Sequence, residues 1–82
     1  MNTNAANDYF YSTDLGLSAS LISNGFLLHH LDKTNPHKVE FCFQRVDELD
    51  QTIQLYWANQ LTVPALAYFN ALKMLKNRIY SE

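Results

Sequence analysis

The chain reads as a small α+β domain with the element order β-α-β-β-α-α, and three features of the sequence predict it. Residues 26–46 form two apolar runs around a polar centre that carries Asn35-Pro36. The second run alternates, with Val39, Phe41 and Phe43 on one side and Glu40, Cys42 and Gln44 on the other. Alternation beside turn chemistry is the mark of a β-hairpin. In three other stretches apolar residues recur at helical spacing, each stretch opened by a capping residue. A short aromatic run, Asp8-Tyr9-Phe10-Tyr11, precedes them all and supplies a further strand. The expected architecture is a small antiparallel-containing sheet with helices packed on it.

Residues 1–7 are polar and uncharged, and are expected to be a disordered tail before a single domain at 8–82. Thr13 is the expected N-cap of the first helix, with Asp14 in its first turn at the positive end of the dipole. Leu15, Ala19 and Ile22 share a face of this helix, with Leu21 alongside, and Asn24-Gly25 closes it. The hairpin admits two registers, because its first strand is apolar on both faces. Pairing Leu31 with Val39 gathers Leu27, His29, Leu31, Val39, Phe41 and Phe43 on one face and sets His30 opposite Glu40. A one-residue slip, or a bulge at His29-His30, instead brings Phe26 and Leu28 to Phe41.

Asp47 is the expected cap of the second helix, with Glu48 and Asp50 in its first turn. Leu49, Ile53, Tyr56 and Trp57 follow at helical spacing, and the helix ends near Asn59-Gln60. Thr62 caps the third helix and Pro64 sits in its first turn, where a missing N–H costs little. Ala65, Phe69, Leu72, Leu75 and Ile79 form its expected buried stripe, while Lys73, Lys76, Asn77 and Tyr80 lie on a wetter face. The expected core joins Phe41, Phe43, Leu49, Ile53, Phe69, Leu72 and Leu75.

The pattern Thr13-Asp14-Leu15, Gly25-Phe26, Asn35-Pro36, Val39-Glu40-Phe41-Cys42-Phe43 and Leu75-Lys76-Asn77-Arg78-Ile79-Tyr80 resembles a family of small bacterial and bacteriophage proteins known as a domain of unknown function. The resemblance covers nearly the whole chain after the tail. It implies a stand-alone prokaryotic or phage domain. It implies no activity, and no functional residue comes with it.

At 82 residues the chain holds one small core. It is 48% hydrophobic and 17% charged, against about 25% charged in average soluble proteins. A small domain has much surface for its volume, so a shortage of charge leaves apolar surface over, and a homo-oligomer, dimer or larger, is expected. The net charge of −2 argues against a general nucleic-acid coater. Every Lys and Arg lies at or after Lys33, however, so a local basic patch remains open. The single cysteine, Cys42, excludes an intrachain disulfide and suits a reducing compartment. The N-terminus is not of the signal-peptide type, and no apolar run approaches the ~20 residues that span a bilayer. A cytoplasmic location with no membrane partner is expected.

His29, His30, His37 and Cys42 invite a zinc reading. Adjacent strand residues point to opposite faces, so His29 and His30 are not expected to share an ion, and no paired Cys or His spacing matches a structural site. No metal or other cofactor is expected. Cys42 lies mid-strand between two phenylalanines, the setting of a small buried hydrophobe. Asp47, Glu48 and Asp50 are explained by helix capping. Gly16 and Gly25 are too few for a phosphate-cradling loop, and no enzyme is expected. Anion binding has more behind it. Lys33, His37 and Lys38 crowd the hairpin turn beside Thr34 and Asn35, Arg45 follows the hairpin, and Lys73, Lys76, Arg78 and Tyr80 offer charge with one aromatic ring. These eight residues are the candidate site for a nucleotide or nucleic-acid-type anion, with the turn of one subunit meeting the last helix of another. The competing class is protein recognition: Tyr9, Phe10, Tyr11, Tyr56, Trp57, Tyr68 and Tyr80 exceed what a small core buries, as in an inhibitor or adaptor acting on a host protein.

Overall fold

The structure is a computed structural model that describes residues 8–81. The expected N-terminal tail at 1–7 lies outside the described residues. The elements are β1 (Tyr9–Ser12), α1 (Leu15–Ser23), β2 (Leu28–Asp32), β3 (Glu40–Gln44), α2 (Leu49–Trp57) and α3 (Ala65–Tyr80), in the order the sequence predicts. The three strands form an antiparallel sheet of order β1-β3-β2. The alternating arm of the hairpin is therefore the central strand, paired on both edges.

The hairpin follows neither expected register in full: a bulge forms at His29-His30, but Phe41 meets Leu31 and not Leu28. Leu31 pairs with Phe41 and Leu28 with Phe43, and the irregularity falls between Leu28 and His30. The extra residue lets Leu28 and Leu31, three positions apart, both pack against the core beside Phe26. Leu27, inward in the alternative register, is 84% exposed. His30 faces Cys42 rather than Glu40, whose partner across the ladder is Asp32. The bulge keeps Leu31 on the core and brings in Phe26 and Leu28 at the expense of Leu27, a gain that outweighs one exposed His–Glu pair, worth only about 0.2–1 kcal/mol.

The helix starts differ by a residue or two from the sequence expectation. Asp14, not Thr13, caps α1, its Oδ1 accepting from Leu17 N at 2.9 Å, while Asp14 N donates to Ser12 Oγ at 3.0 Å. Glu48, not Asp47, occupies the cap position of α2 in a left-handed conformation (φ 76°), with no side-chain cap bond. Pro64 is itself the cap position of α3, so Thr62 lies outside the helix. Pro64 O accepts from Tyr68 N at 2.9 Å, and the proline needs no donor there. The helix ends follow the sequence closely. Gly25 (φ 97°) closes α1, its N–H donating to Ile22 O and that of Phe26 to Leu21 O. Asn59 (φ 61°) closes α2 in the same way, with Asn59 N to Tyr56 O and Gln60 N to Leu55 O. Both are Schellman closures.

Helix α1 is the centre of the domain. Its residues Leu17, Ser18, Ala19, Ser20 and Leu21 are all buried, more than one face of a surface helix hides. Leu17 and Leu21 join Phe41, Phe43, Leu49, Ala71 and Leu75 in one core. Helix α3 packs along α1. Ser18 Oγ is buried without a hydrogen-bond partner. The buried stripe of α3 is Tyr68, Ala71, Leu72, Leu75 and Ile79. Phe69 and Ala65 are exposed, contrary to the sequence expectation. Phe69 lies about 100° around the helix from Tyr68, off the face that buries Ala71 and Leu75.

Candidate functional site

A concave feature lies where the hairpin turn approaches the end of α3. It is a groove of about 500 Å³, within the range of about 300–1,000 Å³ usual for small-molecule sites. Leu15, Val39, Phe41 and Ile79 give it an apolar floor, Thr13 and Pro36 flank it, and His37, Lys38 and Tyr80 bring polar groups to it. The turn is shaped by its own side chains. Asp32 Oδ1 accepts from Thr34 N at 2.9 Å, and Asn35 Oδ1 from His37 N at 3.0 Å. Lys38 N donates to Asn35 O at 2.9 Å. These Asx turns hold the backbone without glycine. The hydrogen bonding at Thr34 holds the Asp32 carboxyl below its ordinary value. Lys33 Nζ donates to Ser81 O at 2.8 Å, tying the turn to the end of α3.

Three of the sequence-predicted residues thus line one groove, with Lys33 bridging beside it. The turn meets the last helix of its own chain. The remaining cations are dispersed. Arg45 leaves the other end of β3, forms an ion pair with Asp50 and lies 5.8 Å from the Phe10 ring centre. Lys73 Nζ sits 4.9 Å from the ring centre of Phe69. Lys76 and Arg78 are exposed and, two residues apart on a helix, point about 160° from each other. The eight residues do not make one basic patch. The apolar floor was missed because Leu15, Val39, Phe41 and Ile79 carry only the ordinary periodicity of core residues.

Two further polar clusters were not legible. Tyr56 and Tyr68 bring their hydroxyls over Gly16, where an added Cβ would lie 2.7 Å and 3.5 Å from them. Burial, and then the Asp14 carboxylate, push the Tyr56 hydroxyl above its ordinary value, so this cluster joins α1, α2 and α3. On the sheet, Tyr11, Cys42 and His30 form a cross-strand row. Burial raises the Cys42 thiol, against a lowering hydrogen bond from Tyr11. A raised thiol disfavours the thiolate a nucleophile needs. His29 belongs to the same cluster, its Nδ1 lying 2.7 Å from that of His30. The expectation that these adjacent histidines diverge fails because the bulge suspends strand alternation between them.

No helix among the described residues is long and apolar enough to cross a membrane. No curated protein and no solved structure matches the chain. The family described as Domain of unknown function (DUF5659) matches residues 7–81. That match spans the whole α+β unit, groove and sheet cluster together, and the chain belongs to this family.

Proposed function

We propose that the protein is a non-enzymatic binding protein of bacterial or phage origin, acting in the cytoplasm as a homo-oligomer, whose ligand is a small anion of the nucleotide class. One observation carries the reading: His37, Lys38 and Tyr80 meet over an apolar floor in a single groove. A base or similar flat ring suits the floor and the Tyr80 ring, while phosphate oxygens suit the Lys38 ammonium and His37. The groove takes a compact ligand better than a long polynucleotide, because Arg45, Lys73, Lys76 and Arg78 do not extend it.

Calorimetry with a panel of nucleotides and short oligonucleotides at low salt tests this. Replacing Lys38 and Tyr80 together with Ala should weaken binding at least tenfold, about 1.4 kcal/mol. Lys76→Ala, outside the groove, should change it less than about twofold. Binding should weaken as salt rises. If none of these anions binds at low salt, the reading fails and protein recognition replaces it. That second reading rests on the exposed Trp57, Leu66 and Phe69 of α2 and α3. The same side chains support self-association, since large exposed apolar groups favour an interface. Light scattering at micromolar concentration should give a mass above the 9.5 kDa of one chain. A single monomeric species across the concentration range would refute the oligomer.

A further inference from the structure

We propose that His29, His30 and Cys42 form a binding site for a borderline-soft divalent cation of the zinc class on the sheet face opposite Phe41 and Phe43. Their candidate ligand atoms all lie within 4.8 Å of one another. The two imidazole Nδ1 atoms are 2.7 Å apart. Neutral imidazoles at that distance share one proton, with a lone pair of one ring aimed at the N–H of the other. With both rings in the Nε2–H tautomer, a cation in place of the shared proton meets a lone pair from each Nδ1. Nitrogen ligands of a tetrahedral zinc ion stand about 3.3 Å apart, and nitrogen and sulfur about 3.6 Å. The set closes on an ion by side-chain movements of about 1 Å.

The donor set suits the ion. Two imidazoles and a thiolate are zinc ligands, and three protein donors leave a fourth position for water or a small ligand. The bulge between Leu28 and His30 turns two successive histidines toward the cysteine across the ladder. The aromatic surround orients them: the Tyr9 ring meets His29 edge-on with centroids 5.0 Å apart, and Tyr11 meets His30 at 6.4 Å. His29 is exposed, which provides an entry path, while Cys42 closes the inner side. Binding releases the Cys42 thiol proton to solvent, while the ring whose Nδ1 carries the shared proton takes the Nε2–H tautomer, so both imidazoles stay neutral.

The test is titration of the reduced, tag-free full chain with Co²⁺, followed by competition with Zn²⁺. Saturation at one ion per chain with an intense thiolate-to-cobalt absorption band, bleached by Zn²⁺, is the expected result. Cys42→Ser should abolish the band, and His30→Gln should weaken Zn²⁺ binding at least tenfold by calorimetry. His37→Ala, in the hairpin turn, should leave it unchanged. Absence of the thiolate band in the parent chain overturns the proposal. If circular dichroism shows that Cys42→Ser does not fold, His29→Gln and His30→Gln decide: retention of parental Zn²⁺ affinity by both overturns it.

Discussion

Phe41→Ala should destabilise the domain by about 3–5 kcal/mol, the usual cost of removing a buried phenylalanine. Phe41 is 2% exposed and lies on the central strand, paired with Ser12 on one side and Leu31 on the other. Both edges hold its backbone, so the sheet cannot easily collapse into the space left behind, and cavity and transfer costs add. A chain of this length has a total stability of roughly 4–12 kcal/mol, so the substitution removes a large part of it. Urea unfolding should show a lower midpoint with an unchanged slope, and the melting temperature should fall by more than about 12 °C. A near-neutral result would mean that β3 is not the central strand. Because Phe41 also floors the groove, ligand affinity of this variant is readable only where the fold is intact.

Leu75→Ala and Phe69→Ala should separate sharply. Leu75 is fully buried and packs with the α1 leucines, and its truncation should cost about 2–5 kcal/mol. Phe69 is 54% exposed and carries Lys73 over its ring, so its truncation should cost about 1 kcal/mol or less. Helical spacing alone places both on the buried stripe of α3. Only the rotation of the helix against α1 distinguishes them. Denaturant midpoints of the two variants measure that rotation, and equal losses would return Phe69 to the core.

The same division runs through the molecule. Alternation from Val39 to Gln44, helical periodicity in three stretches, and the left-handed closures at Gly25 and Asn59 are local signals. Local backbone sterics and side-chain spacing therefore determined the element order and the helix ends. Helix starts were less legible, because Thr13 and Asp14 are neighbouring residues that can both cap, and α2 starts at Glu48 with no side-chain cap bond to mark it. The hairpin register was open in the sequence, since Phe26, Leu27 and Leu28 are all apolar. Burial of Leu28 and Leu31 around a bulge decided it.

Composition and the positions of its cations and histidines could nominate Lys33, His37, Lys38, Arg45, Lys73, Lys76, Arg78 and Tyr80, but not group them. His37, Lys38 and Tyr80 share a groove because the hairpin turn folds back onto the end of α3, a contact between residues some forty positions apart. His29 and His30 converge on Cys42 because a bulge breaks the alternation that adjacent strand residues otherwise obey. The sequence by itself determined which elements form, because those choices are made within a few residues. Only the tertiary structure decided which side chains meet, because that depends on helix rotation and strand register, which are set by burial summed over the whole core.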